Sequence, residues 1–357
     1  MTLFSPYSPP SRQVNLLWAT ALGDAHGLVA EGLLPARIAR RYPHGLPVYG
    51  VLPSCRLISD DTEHAALTAH AWANAHGNPG LFGQLLGKNL KRWLWCLPST
   101  TGMATARALV RLSVGVPLHE CGVNSAGNGP CMRAPILGVS IQDPRLLKEC
   151  IKQSTLITHT HPWAIDGALV IATTAFLALE MGRVPSWEAI CDLGCGHVSK
   201  ELRDVLIRAS QSAKQGHTTQ QFVEQEGWAH GPQGFVLHTV PAVLHLLWSH
   251  EGDWESVVRQ AVLLGGDTDS IAALVGALAH LDMTRGDLPP AWLTGMNRGL
   301  WSLLFLDELE RAARLGETFR HLTTHLPMGF WPRQALRNAC ITPLVLAHGV
   351  GRLFSPC

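Results

Sequence analysis

Apolar residues recur along this chain at intervals of three and four, as in Val14, Leu17, Trp18 and Ala21, in Ile165, Ala168, Leu169 and Ala172, and in Ile271, Leu274, Val275 and Leu278. That spacing lines one face of an α-helix, and the alternation that marks a strand is nearly absent. Gly- and Pro-rich stretches fall between the periodic segments, at 43–53, 77–80, 122–135, 227–234 and 287–290. Such residues break regular elements, so the pattern predicts an all-α, multi-helix bundle of ten or more helices with functional loops between them. No internal repeat or low-complexity tract interrupts it. The stretch after Leu288 is again helical in pattern, ends at Trp331-Pro332-Arg333 and continues as a Gly-rich apolar tail. It is expected to pack on the main bundle, because a flexible linker needs a longer polar stretch than 283–290 supplies.

The most apolar run, Ala164–Leu179, contains Asp166 and falls short of the ~20 residues that span a bilayer, so it reads as a buried helix with no membrane partner. With 46% hydrophobic residues among 357, the chain can bury a large core. Lys plus Arg number 28 against 27 for Asp plus Glu, which leaves no broad field to attract nucleic acid or anionic lipid. The nine cysteines are odd in number and scattered, the usage of reduced thiols in a cytoplasmic protein. Cys191, Cys195 and His197 suggest a zinc knuckle, but no fourth ligand stands at matching spacing. Residues 1–11 lack the positive charge of a signal peptide.

Chemistry concentrates in a few short segments. Gly265-Gly266-Asp267-Thr268-Asp269-Ser270 places two carboxylates and two hydroxyls around a Gly-Gly turn where an apolar helix resumes. Ser59-Asp60-Asp61-Thr62 is a second such cluster far upstream. Both offer only oxygen, the ligand preferred by hard cations, and together two helix starts can enclose a binuclear site. Each alone reads equally as a helix N-cap. Gly23-Asp24-Ala25-His26-Gly27 carries two glycines four apart, the spacing that permits close approach of another backbone, and leaves Asp24 open between a buried hydrogen-bonding role and a direct one. Glu31 is a solitary acid in an apolar stretch. The loop Gly127-Asn128-Gly129-Pro130 can present backbone N–H groups to phosphate but lacks the Lys-Ser/Thr of a P-loop. In Thr158-His159-Thr160-His161, contact with a ligand or helix capping is expected rather than metal ligation, since the other clusters are all oxygen.

In this order, Gly23-Asp24-Ala25 with Glu31, Ser59-Asp60-Asp61-Thr62, Gly127-Asn128-Gly129 with Met132-Arg133, Thr158-His159 and Gly265 to Ser270, the chain resembles the ADP-ribosylglycohydrolase family. The resemblance covers about residues 14–295, leaving 1–13 as an N-terminal extension and 296–357 as a C-terminal helical extension. It implies an all-α fold with a binuclear metal cleft that hydrolyses the bond between ADP-ribose and an acceptor, with two Mg²⁺ or Mn²⁺ ions as cofactors. Position by position, it implies Ser59, Asp60, Asp61 and Asp269 as ligands of one ion and Asp267, Asp269 and Ser270 as ligands of the other. Glu31, Asp60 and Asp269 are the implied catalytic residues. Ser125, Gly127, Asn128 and Gly129 fall in the family's pyrophosphate loop, His159 on the cleft lining and Phe235 at an aromatic near the ligand.

One departure bears on substrate. Where family members that act on ADP-ribosyl-arginine commonly carry an Asp, this chain has Thr100 in Pro98-Ser99-Thr100-Thr101-Gly102. Arginine is the implied acceptor, and an oxygen-linked conjugate is the alternative. Another class of reading is an immunity-type protein that shields ADP-ribosylated targets or blocks an ADP-ribosyltransferase toxin. A third is a structural relic of the fold, against which all six implied ligand positions are filled.

Overall fold

A computed structural model describes residues 12–43, 57–294 and 330–353. The stretch expected as a loop at 43–53, most of the 1–13 extension and residues 295–329 lie outside the described residues. Sixteen α-helices and no β-strand occur among those described, as the periodicity requires. At the centre, α1 (Arg12–Gly27) packs along α14 (Thr268–Ala279). A Cβ added at Gly23 would collide with Ala272 O, and one at Gly27 with Thr268 O and Asp269 Cα. The two glycines are therefore what lets these helices meet backbone to backbone. Thr268 Oγ1 donates to Gly27 O at 2.8 Å and locks the crossing.

Around this pair, α3 (Asp60–Asn74) packs on α1 and on α4 (Pro79–Leu94), while α8 (Pro162–Met181) packs on α6 (Ala134–Ser140), α7 (Pro144–Leu156) and α12 (Val236–Ser249). The apolar run expected at 164–179 is a 20-residue helix, extended at its start by Pro162 and closed by Gly182 in the left-handed conformation. It is long and apolar enough to cross a bilayer, yet 61% of its most apolar window is buried inside the fold, the position of a core helix. The remaining helices, α2 (Pro35–Arg41), α5 (Met103–Ser113), α9 (Trp187–Asp192), α10 (Lys200–Lys214), α11 (Thr219–Gln225), α13 (Trp254–Leu263) and α15 (Pro290–Thr294), complete the bundle.

Where α10 and α11 meet α12, His245 is fully buried. Its ring stacks on Phe222 at 4.6 Å and bonds Ser212 Oγ at 3.1 Å and Thr219 Oγ1 at 3.0 Å. Burial, with His217 nearby, lowers its pKa to about 4. Because the folded value lies below the unfolded one, the unfolded chain takes up the proton first as pH falls. Stability is thus complete above about pH 6.5 and is lost toward pH 4. The stability of the wild type relative to His245→Gln is expected to fall by about 1.4 kcal/mol between pH 8 and pH 5.5, read from urea midpoints. A pH-independent difference would show that His245 does not titrate in this window.

The C-terminal pattern turns out differently from expectation. The helix does not end at Trp331-Pro332-Arg333; there the chain begins α16 (Phe330–Leu353). A proline in the first turn meets no carbonyl four residues back, so Pro332 starts the helix instead of stopping it. Arg337 Nη1 pairs with Glu63 Oε1 at 2.5 Å, and both side chains are nearly buried. Glu63 also accepts from Trp93 Nε1 and Gln334 Nε2, and Asn338 Nδ2 donates to Cys96 O at 2.8 Å. Removing one partner from such a buried pair costs on the order of 3–5 kcal/mol, so α16 is firmly seated on α3 and α4. Ile341 packs with Leu28 and Leu57, and Val345 lies against them.

Candidate active site

The site begins where α3 begins. Asp24, fully buried on α1, accepts from Ser59 N at 2.9 Å and 3.0 Å and from Thr62 N at 3.2 Å, so it holds the first turn of α3 in place. Burial pushes its pKa up to about 6, against the lowering effect of hydrogen bonds from Thr62 and Ser59. Ser59 is the N-cap: its Oγ accepts from Asp61 N at 3.2 Å and donates to Asp61 Oδ2 at 3.0 Å. Asp60 N donates to Thr100 Oγ1 at 3.1 Å. Thr100 therefore sits against the start of α3, where it steadies Asp60.

The second cluster sits where α14 begins. Asp267 occupies the N-cap position but makes no side-chain cap bond. Its Oδ2 instead accepts from Asn128 Nδ2 at 2.6 Å, so the capping role open to it in the sequence is not the one it fills. The turn before it needs left-handed backbone at Gly265 and Gly266, with φ of 70° and 74°. Gly32 N donates to Gly266 O at 2.7 Å, which brings the Glu31 turn beside this loop. Asp269 is 3% exposed, and Ser270 Oγ donates to Asp61 Oδ2 at 3.1 Å across the two helices.

The two helix starts thus converge. Ligand oxygens of Asp24, Asp61 and Asp269 lie within 4.8 Å of one another, all buried. Burial raises the pKa of Asp60, Asp61 and Asp269 well above the usual carboxylate range; Asp24 and the neighbouring acids add to this, with Glu31 the strongest neighbour on Asp269. Asp61 Oδ1 is buried and has no hydrogen-bond partner. A buried, unpartnered carboxylate oxygen among further carboxylates and serine hydroxyls is a donor set for a hard divalent cation, and these residues fit one. Asp24 is the member that sequence reasoning left out of the ligand set; both its oxygens already serve α3. Cys191, Cys195 and His197 form no metal-capable group among the described residues, and Cys195 Sγ donates to Thr173 Oγ1 at 3.3 Å.

The 125–129 loop stands beside the acids. Asn128 N donates to Gly234 O at 3.1 Å, Val236 N to Ala126 O at 3.0 Å, and Gly127 bridges Phe235 in antiparallel fashion. The expectation of a cradle of open amides narrows accordingly, because the Asn128 amide is engaged by Gly234 and its side chain reaches Thr239 and Asp267. Ser125 Oγ accepts from Gly127 N at 3.3 Å. A Cβ at Gly127 or Gly129 would lie 3.0 Å or 3.1 Å from the His159 ring, so these glycines let the imidazole lie against the loop. His159 bonds Thr158 Oγ1 at 2.9 Å, and burial with Arg133 nearby lowers its pKa to about 3, which keeps it neutral. His161 accepts from Trp163 N and so caps α8, the capping role expected of one of the pair. The Phe235 ring stands edge-on to Trp163 and His238, at 5.8 Å and 5.4 Å.

A single cavity of about 970 Å³ gathers most of these groups. Glu31, Asp60, Asp61, Asp267, Asp269 and Ser270 line it together with Ser125, Gly127, Asn128, Gly129 and His159. Ser59 and Phe235 are not among its lining residues; Ser59 Oγ donates to the lining residue Asp61, and Phe235 bridges Gly127 of the loop. Sequence reasoning missed Arg37, Thr105, Gln233 and the α16 residues Val345 and Leu346, all of which line the cavity. Nothing in their local spacing distinguishes them.

A family model described as ADP-ribosylglycohydrolase matches residues 6–323, starting before and ending after the 14–295 span of the sequence motifs. The chain is 25% identical over 293 residues to ADP-ribosyl-[dinitrogen reductase] glycohydrolase of Rhodospirillum rubrum, covering 80% of this chain and 90% of that protein. It is 24% identical over 197 residues to ADP-ribosylhydrolase ARH3 of Gallus gallus, covering 48% of this chain and 53% of that one. Its fold is similar to a solved "ADP-ribosylglycohydrolase-related protein complex", with a TM-score of 0.60 at 23% identity over 88% of this chain and 99% of the other.

Proposed function

The chain belongs to the ADP-ribosylglycohydrolase family, and from that membership we propose that it hydrolyses the glycosidic bond between ADP-ribose and an acceptor, with two Mg²⁺ or Mn²⁺ ions in the carboxylate cleft. The observation that carries this reading is the convergence of Asp60, Asp61, Asp267 and Asp269 from two helix starts in one cavity with the 125–129 loop. Ser59, Asp60, Asp61 and Asp269 would hold one ion, and Asp267, Asp269 and Ser270 the other. Such ions, when bound, supply Lewis acidity toward ribose hydroxyls and water. The protein's own part is positional and electrostatic. Glu31 and Asp60 place negative charge where oxocarbenium character builds as the bond breaks. The 125–129 loop and neutral His159 offer small residues and a ring edge to the ADP moiety, and the cavity is large enough for a ligand of that size.

ADP-ribosylated proteins or smaller ADP-ribose conjugates are the proposed substrates. No feature of the site supports the toxin-blocking alternative. An arginine acceptor would find Thr100 where an acid would assist its departure, and the whole 99–105 stretch carries no carboxylate. A cytoplasmic setting is proposed from the odd number and scattered placing of the cysteines in the sequence. The test is release of free ADP-ribose from arginine-linked and ester-linked conjugates with and without Mg²⁺ or Mn²⁺. Metal-dependent release from at least one conjugate is expected. Tight binding of ADP-ribose with no turnover under any metal would replace the hydrolase with a binding protein.

A further inference from the structure

Helix α16 lies beyond residue 323, where the family match ends, and it adds a wall to the cavity. Val345 and Leu346 line the same space as Asp60, Asp61 and Asp269. Leu346 is 59% exposed, and Met103, at the start of α5, lines the cavity while 67% exposed. Two open leucine and methionine side chains in a space otherwise rich in carboxylates and hydroxyls leave apolar surface for a ligand to cover.

The place of this wall is set by contacts that reach the catalytic elements. Ile341 and Val345 pack on Leu28 and Leu57, three residues before Glu31 and two before Ser59. The Arg337–Glu63 pair ties the same helix to α3, one turn beyond Asp60. α16 therefore flanks the carboxylates from the side of the α1 end and the α3 start. Its charge is one-sided: residues 330–353 contain Arg333, Arg337 and Arg352 and neither Asp nor Glu.

We propose that α16 is the acceptor-selecting wall of the cleft, and that Val345 and Leu346 favour conjugates whose acceptor is uncharged and apolar beside the scissile bond over cationic ones. This rests on the ADP-ribose reading above. A guanidinium brought against this wall loses hydration, and neither α16 nor the 99–105 stretch has a carboxylate to replace it. The cavity carboxylates other than Glu31 belong to the ion set. An apolar flank, in contrast, removes Leu346 and Met103 from water.

The experiment compares an arginine-linked and an acetyl-ester-linked ADP-ribose conjugate on wild type, Leu346→Glu and Leu346→Lys. Discrimination is read as the ratio of kcat/KM, or of competition constants against ADP-ribose where a conjugate is not turned over. Wild type is expected to favour the ester conjugate at least tenfold. Leu346→Glu should narrow that preference roughly fivefold and Leu346→Lys widen it by a similar factor, the effect of about one partly screened charge pair. Opposite shifts from one half-open position do not arise from misfolding. A wild type that favours the arginine conjugate or treats both alike, or shifts of equal sign in the two variants, overturns the proposal. Failure of the wild type to bind ADP-ribose in calorimetry overturns the ADP-ribose reading itself, and the wall's role with it.

Discussion

Asp269→Ala is expected to abolish divalent-cation uptake and to slow ADP-ribose release by at least about 10³-fold, since Lewis-acid assistance is worth several kcal/mol and each 1.4 kcal/mol is tenfold. Asp269 is nearly buried at the start of α14, and Glu31, Asp267, Asp61 and Asp24 all raise its pKa further after burial itself. It is the residue proposed to serve both ions, so its loss removes a ligand from each. The same crowding predicts that the fold survives. Removing one of several buried acids relieves repulsion in the ion-free protein, and the hydrogen bond that Asp269 accepts from Ser270 N at 3.0 Å lies within its own helix turn. Calorimetry with Mn²⁺, a rate assay and circular dichroism on one preparation decide the matter. An active variant, or one inactive only because it has melted, would return Asp269 to a structural role.

Gly27→Ala is expected to destabilise the protein by on the order of 3 kcal/mol, the upper part of the range for an overpacked core, and to remove activity with it. The added methyl has no flexible neighbour to displace. It meets Thr268 O and Asp269 Cα, which are backbone. Either α1 and α14 separate, opening the centre of the bundle, or the first turn of α14 shifts and takes Asp267 and Asp269 with it. Gly102→Ala is the control, because a methyl there meets nothing within 4 Å. Its stability should fall by no more than about 1 kcal/mol, the cost of Ala in place of Gly at the N-cap of α5. A Gly27→Ala midpoint within about 0.5 kcal/mol of wild type would mean that the crossing tolerates a wider spacing.

The legibility of the site differed from residue to residue for physical reasons. Ser59 was readable because an N-cap is a local event, a hydroxyl answering an amide two residues on. Asp267 looked the same in the sequence but serves Asn128, 139 residues away in the chain. Asn128 looked like a turn residue offering its amide, whereas Gly234 takes that amide. Pro332 looked like a stop because a proline is read differently at the start of a helix than in its interior, and only the helix boundary tells which applies.

By itself the sequence determined that the chain is helical, that its cation-type oxygens stand at two helix starts and that glycines on α1 permit a close crossing. These follow from a 3.6-residue period, from capping chemistry and from the missing Cβ, all of which act within a few residues of chain. Only the tertiary structure decided that Asp24 holds the start of α3, that Asp61 keeps an unpartnered oxygen beside Asp269, and that Val345 and Leu346 face the same cavity. Those facts depend on where α1, α3, α14 and α16 sit relative to one another. That arrangement is set by packing between residues far apart in the chain, as when Thr268 meets Gly27 and Arg337 meets Glu63, and no local spacing carries it.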